Sequence, residues 1–507
     1  MPDSKRLSVL RNTGLNYLGQ AYALLIGILI LPFYLGHLGA EAYGLIGFFA
    51  VMQAWLLLLD AGLSPSLVRQ VAHLRGSAAA GRFESGRLLR SFELIVLPVA
   101  LITALAVYLA SGWIAAHWLQ ARELAPERIA DCVALMGAMV ALRLYATLYK
   151  SGLQGLELHG WLNLANVLIA TLRYFGGLIL VAWVSQNPVD FFLFHVAVAG
   201  LETLAFAAKA YREMPRPRAF IGFDWPTVRP VLPFAASMSL TTGLWILLTQ
   251  VDKTVLSNVL LLEEYGYFSL VALISTGLLT LINPLVQTLL PRLTMLTAEG
   301  RITDMKRLYL NASRFVCSFL FPLAAVIAFH AEDLIFAWTG DAQAAAWSAP
   351  ILFWYALGSA ILAVSGFQFY LQYAHGQLRL HLWFSLVSTA ISVPLVLFAA
   401  FEYGAYGAAL SWFLLRLVTY LIWPAFIHRR FAPGIHGPWV LDQVRISLVT
   451  LVGLLLGEPL FMAITAEDRF HILAGLAASG LLCLTLVALS SRPLYLKLYL
   501  LINKPSL

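Results

Sequence analysis

The chain has 507 residues, of which 60% are hydrophobic and only 12% charged, with a net charge of +7; an average globular domain carries about 25% charged residues. That imbalance excludes a soluble enzyme built round one water-facing surface. It points instead to an all-α polytopic membrane protein, in which apolar runs of about 20 residues cross the bilayer as helices.

About fourteen such runs are predicted between Asn12 and Ser490. The first, 12–36, follows Lys5, Arg6 and Arg11 and superficially resembles a secretory signal. It continues through Leu31, Pro32, Phe33 and Tyr34 without a small-residue cleavage site, so it is expected to be retained as a first helix with residue 1 in the cytoplasm. Runs at 41–63, 91–112, 129–150, 163–184 and 190–210 complete a first group of six. A second group follows at 230–258, 264–290, 312–331, 348–374, 382–401 and 405–426, and an extra pair at 446–465 and 471–490. The expected domains are therefore an N-terminal six-helix lobe over 1–220, a C-terminal six-helix lobe over 221–432, and two additional helices with a cytoplasmic tail over 433–507.

Charge placement gives an independent check on this threading. Of the 33 Lys and Arg, the segments expected outside hold only Arg122, Arg128 and Arg469, the asymmetry of the positive-inside rule. Both termini are then expected in the cytoplasm. The positive charge is a topology signal with no bearing on nucleic acid, and the basic inner loops suit anionic lipid headgroups. Cys132, Cys317 and Cys483 are scattered through apolar runs, which suggests buried small hydrophobes and no disulfide framework or metal site.

The chain contains a weak internal repeat. Glu41-Ala42-Tyr43-Gly44 returns as Glu263-Glu264-Tyr265-Gly266, and the next inner loops, Gly81-Arg82 leading to Arg87-Leu88-Leu89 and Gly300-Arg301 leading to Lys306-Arg307-Leu308, follow at a similar offset. Six helices per copy is an even number, so the two lobes are expected to be parallel, related by an axis along the membrane normal, with a cavity between them. The Glu-x-Tyr-Gly elements are expected to be tight outer hairpin turns, with glycine permitting the turn and tyrosine anchored at the interface.

Two segments carry a family resemblance. FYLGHLGAEAYGLIGFFAVMQAWLLLLDAGLSPSLVR, from Phe33 to Arg69, resembles the amino-terminal signature of the Wzx-type polysaccharide repeat-unit flippases of the MOP superfamily. QVDKTVLSNVLLLEEYGYFSLVALIS, from Gln250 to Ser275, followed by Leu290-Pro291-Arg292, is similar to the family's seventh and eighth helices. The resemblance implies a MOP/MATE-like fold and no enzymatic activity. It also implies transport of an undecaprenyl-diphosphate-linked oligosaccharide from the cytoplasmic to the periplasmic leaflet of a bacterial inner membrane by alternating access. O-antigen and exopolysaccharide assembly are the pathways it suggests, with the polysaccharide polymerase and chain-length machinery as partners beside the lipid-linked cargo and membrane lipids.

The residues themselves point to an anionic cargo. Arg143, Arg173, Lys253 and Arg416 lie inside otherwise apolar runs, where a charge costs at least ~2.5–3.5 kcal/mol and normally faces a cavity, a partner or a substrate path. Arginine offers a planar fork that matches phosphate or carboxylate and stays protonated when desolvated. Asn166, Ala170, Arg173 and Gly177 share one helical face, and Thr242, Trp245, Thr249, Asp252 and Lys253 form a polar stripe with one aromatic. Trp245 and Asn166 thus join the four cations as candidate substrate contacts. The alternative use of such groups is helix packing: Asn and Thr stripes often serve as glue, and Arg143 could pair with Glu202 or another acid and only lock helices together.

Asp252 and Lys253 are adjacent, project about 100° apart on a helix and make a poor mutual pair, so each is expected to find another partner. Asp252 and Glu202 are the candidates for ion coupling by proton exchange. Asp60 and Arg69 are the candidates for gating, with Asp60 expected to cap free backbone N–H groups or pair with Arg69, and Pro65 to prevent an ordinary helix continuation. A membrane polymerase or ligase would need a substantial outer loop, but the longest expected here run only over 113–128 and 332–347 and carry no paired carboxylates or histidine cluster. Nor is there a phosphate-binding glycine loop, metal-ligand spacing or nucleophile motif, so no cofactor is expected, and His195 and His381 read as packing residues. A MATE-like cation exporter should present carboxylates, whereas the central cations outnumber Asp252 and Glu202. A lipid II-type flippase shares the helix count and remains an alternative.

Overall fold

The computed structural model describes residues 22, 25–60, 62–74, 78–214, 222–464 and 468–490, without side chains at 56, 57, 78–82, 234 and 237. Among the described residues the structure is helical, relieved by one isolated parallel bridge between Gln120 and Leu261. Two compact units divide the chain, Met1–Gly266 and Tyr267–Leu507.

The first unit contains α1 (Leu25–Leu38), α2 (Ala40–Leu59), α3 (Leu63–Leu74), α4 (Ala78–Trp113), α5 (Pro126–Gly155), α6 (His159–Val184), α7 (Pro188–Glu213), the short α8 (Trp225–Val228) and α9 (Leu232–Val259). Local chemistry sets the starts: Pro126 and Pro188 occupy first-turn positions, and the Asn187 side chain accepts the Val189 N–H. Helix α5 is the hub, packed against α3, α4 and α7, with Met136, Met139 and Leu148 fully buried beside Phe92 and Phe206. Its 30 residues span about 45 Å at 1.5 Å per residue, more than a hydrocarbon core of about 30 Å.

The boundary between the units falls within α10 (Leu262–Thr280). The second unit continues with α11 (Asn283–Ala298), α12 (Ile302–Phe329), α13 (Ala331–Thr339), α14 (Ala342–Ala374), α15 (Arg379–Phe431), α16 (His436–Ile464) and α17 (Arg469–Ser490). Helix α14 packs on α12, α13 and α15, while α16 and α17 pair with each other and lie on α12. Gly340 ends α13 in the left-handed conformation, and the Arg469 guanidinium donates to the Ala337 and Trp338 carbonyls at 3.1 and 2.9 Å. The extra pair is thereby stitched to α13 by a cation on the carbonyl end of a helix.

Each expected span overlaps one of these helices, the first only in part because 12–21 lie outside the described residues. Among the described residues ten helical rods are long and apolar enough to cross a membrane, and the most apolar stretch of the α4 rod is only 17% buried. Leu101, Leu105 and Leu109 are exposed there, as lipid-facing residues should be. Between the eleventh and twelfth spans the expected loop is a kink, with Gly404 (φ 58, ψ −144) breaking the rod α15. The three cysteines are buried, as expected of small hydrophobes.

Candidate functional site

Three helices of the first unit bring charged groups together, Arg143, Arg173 and Glu202 from near their midpoints and Lys150 from the last turns of α5. From α7, the Glu202 side chain is 5% exposed and receives two cations on its two oxygens: Arg173 from α6 at 2.6 Å and Lys150 from α5 in a shorter contact. Arg143, seven residues before Lys150 and so on the same face of α5, stands with its guanidinium carbon 5.0 Å from the centre of the Phe49 ring of α2. Its buried Nε has no hydrogen-bond partner among the described residues. Lys150 also lies over Phe206, 4.7 Å from the ring centre, so aromatic faces supply part of the stabilisation that water would give these cations. Three cationic groups face one carboxylate, leaving a positive excess. Arg173 and Lys150 retain 23% and 32% side-chain exposure, so the excess is open on one side.

Of the alternatives for Arg143, pairing with Glu202 is not the one seen: Glu202 is held by Arg173 and Lys150, and Arg143 rests on an aromatic ring. Lys150 was not among the candidates, since it falls at the end of its apolar run and reads as an inner-loop charge. The available signal was its seven-residue spacing from Arg143.

Arg173 itself sits in a π turn, Leu172–Gly176, a local widening that often marks functional positions. The Tyr34 hydroxyl from α1 donates to the Tyr174 carbonyl at 2.7 Å, filling hydrogen-bonding capacity that the widened turn exposes. His195 packs on Phe191, with ring centres 4.1 Å apart, and its Nδ1 lies 2.9 Å from the Phe191 carbonyl, a packing role as expected. The predicted face does not hold together: Ala170 and Gly177 are buried, whereas Asn166, in the regular helix before the turn, is exposed.

On α9 the predicted stripe splits. Trp245 is 52% exposed and Asp252 3% exposed, while Lys253 donates to the Thr249 carbonyl at 2.6 Å and contacts Asp252 at 3.4 Å. The adjacent pair therefore does meet, at the long distance that its 100° projection imposes. Arg416 lies in the second unit, buried, 4.4 Å over the Trp412 ring.

At the end of α2 the carboxylate of Asp60 accepts the Ser64 hydroxyl at 2.6 Å and its N–H at 3.1 and 3.2 Å, capping α3, while Arg69 is exposed. Pro65 lies inside the first turn of α3, so the helix breaks before it, between Leu59 and Leu63, and Pro65 starts a helix rather than stopping one. Asp60→Ala is expected to lower stability by about 0.5–2 kcal/mol, measurable as a fall in the thermal midpoint of the purified protein.

The family profile described as "Polysaccharide biosynthesis protein" matches residues 9–297, more than half of the chain. The chain belongs to this family. These are Wzx-type flippases, and the membership makes the protein a transporter of the flippase class. Among curated protein sequences none matches. Three solved structures share the fold at low identity. One is titled as the lipid II flippase MurJ in an inward closed conformation (TM-score 0.74, 15% identity, 95% of this chain and 99% of that one). A second is an inward-facing multidrug resistance MATE transporter of the MOP superfamily (0.63, 14%, 81% and 95%). A third is a MOP superfamily transporter from Pyrococcus furiosus, described as having a binding pocket of reverse polarity (0.53, 13%, 83% and 95%).

This member of the polysaccharide biosynthesis family departs from the sequence expectation at its Glu-x-Tyr-Gly elements. Both lie within helices, in the first turns of α2 and α10, and Tyr43 and Tyr265 are 2% and 1% exposed rather than interfacial. The turn is made by Gly39, while Gly44 and Gly266 allow two helices to touch: a Cβ on Gly44 would lie 2.2 Å from the Leu262 carbonyl oxygen, and one on Gly266 2.5 Å from that of Ala40. Beside them the Glu41 carboxylate accepts the N–H groups of Arg122 (2.5 Å), Glu123 (3.1 Å) and Leu124 (2.8 Å), and the Leu262 N–H donates to the Gln120 carbonyl at 2.8 Å. One carboxylate thus satisfies a whole loop's worth of backbone donors. A second buried acid missed in the sequence is Glu93 of α4, held by Tyr149 at 2.7 Å, Arg90 at 3.0 Å and, more closely, Tyr211.

Proposed function

We propose that the protein flips an undecaprenyl-diphosphate-linked oligosaccharide from the cytoplasmic to the periplasmic leaflet of a bacterial inner membrane, by alternating access, for cell-surface polysaccharide assembly. The observation that carries the reading is the cluster of Arg143, Lys150 and Arg173 about one carboxylate in helices long enough to cross a bilayer. A diphosphate entering hydrocarbon loses its hydration, and fixed cations in a low-dielectric site replace it at far lower reorganisation cost than water could. Arginine forks add geometric selectivity for phosphate oxygens.

In this reading Lys253 and Arg416 are further anion contacts, and Trp245 and Asn166 offer an aromatic face and an amide to the sugars. Asp252 is the coupling acid, and Asp60 with Arg69 marks the inner gate, with both chain termini in the cytoplasm. The positive excess argues against cations as cargo. A second reading, lipid II-type cargo, is favoured by the extent of the likeness to the structure titled lipid II flippase MurJ, which takes in 95% of this chain. Both cargoes would present the same diphosphate.

Lipid extracts of a deletion strain, with an impermeant label on intact spheroplasts to assign the leaflet, separate these readings. Single diphosphate-linked oligosaccharide units retained in the inner leaflet are the expected result, and accumulated lipid II would select the second reading. Units accumulating in the outer leaflet would indicate a polymerase or ligase instead.

A further inference from the structure

Glu202 is a puzzle for a site that attracts anions. A nearly buried carboxylate already occupies two of the three cations, one oxygen to each. Its presence has a physical reason: cations in a low-dielectric interior repel one another, and a buried charge left without a partner is strongly destabilising. The same bonds set a condition on any incoming anion, which must take Lys150 and Arg173 away from Glu202 before it can use them.

The geometry suits exchange. Glu202 approaches from the buried side on α7, whereas Lys150 and Arg173 keep exposed portions through which another anion can reach them. Both are long side chains that can turn from one acceptor to another without moving a helix. Arg143 is not bound to Glu202 and stays over Phe49, so it offers a first contact that costs no existing ion pair. The charge count is also matched. Three cations less one carboxylate leave an excess of about two positive charges, the number that a diphosphate diester neutralises at neutral pH.

We propose that Glu202 is a resident counter-anion that competes with the cargo's diphosphate for Lys150 and Arg173, holding affinity low enough for the cargo to leave. This rests on the flippase reading above and adds to it a release device. Tight binding alone does not favour transport: a cargo held so firmly that it dissociates slowly makes release the limiting step. A built-in competitor returns the cations to a paired state as the diphosphate departs, so release does not strand three unpaired charges. Binding and release become an exchange of one anion for another, with nearly the same charge at the site before and after.

The test is a titration of the full-length protein in lipid nanodiscs with undecaprenyl diphosphate as the probe. Wild type and Arg173→Ala test the cargo reading itself. Weaker binding in Arg173→Ala supports it, and equal binding overturns it whatever Glu202 does. Glu202→Gln tests the competitor: affinity is expected to rise about tenfold, with slower dissociation. Unchanged or weaker affinity would overturn the proposal and leave Glu202 as a helix-locking counter-ion. Glu202→Asp keeps the charge but withdraws the carboxylate by one methylene, and it replaces the amide variant should that fail to fold. A smaller gain in the same direction supports the competitor, and no gain overturns it.

Discussion

Arg173→Ala is expected to reduce surface glycan by at least about tenfold, equivalent to about 1.4 kcal/mol, while membrane insertion and yield stay near wild type. One hydrogen bond to a charged group is worth about 1.5–3 kcal/mol, and the Arg173 side chain, 23% exposed, has donors beyond the one it gives to Glu202. Folding should survive because Lys150 still holds Glu202, so the buried carboxylate is not left alone. Arg173→Lys separates charge from shape. It preserves the cation and loses the planar fork, and is expected to fall between alanine and wild type. Quantifying glycan on cells carrying each variant checks both, and full export in both would remove Arg173 from the transport path.

Gly44→Val is expected to have the largest effect on the folded state. Any side chain there meets the Leu262 carbonyl oxygen at 2.2 Å, and a backbone atom cannot turn aside as a flexible side chain would. Overpacking typically costs about 1–3 kcal/mol, and a backbone clash with no rotamer to relieve it should lie at the top of that range. The reciprocal contact of Gly266 with Ala40 means that Gly266→Val should fail in the same way. A sharp loss of monodisperse protein, or a much lower melting midpoint, in size-exclusion and thermal assays is the expected readout. Wild-type melting of either variant would mean that the α2 and α10 helices do not pack as described.

Much of this molecule was legible from residue order, and the exceptions have physical causes. Helices were legible because only uninterrupted apolar runs of about 20 residues satisfy both the backbone and the lipid. Arg143 and Arg173 stood out because ionised groups in such runs are rare. Lys150 did not, since at the edge of a run a lysine is ordinarily a loop charge, and only the approach of Glu202 from another helix gives it a different meaning. Gly44 and Gly266 were read as turn formers because glycine serves equally in turns and in close helix contacts, and only the partner helix tells these uses apart. Glu41 was invisible as an anchor for the same kind of reason. Its backbone donors, in Arg122, Glu123 and Leu124, are brought in by another part of the fold. The π turn at Arg173 has no proline, only the Gly176–Gly177 pair at its end, and the hydroxyl that completes it comes from Tyr34.

The central claim is that a cation excess in the first unit holds a diphosphate lipid on its way across the membrane. Movement of a fluorescent undecaprenyl-diphosphate glycolipid between leaflets, followed in proteoliposomes by protection from an impermeant quencher, tests it most directly. Wild-type protein is compared with a variant in which Arg143, Lys150, Arg173 and Glu202 are all replaced by glutamine, so that no buried charge is left without its partner. Flipping by wild type and none by the neutral variant is the predicted result; equal flipping by both would contradict the account.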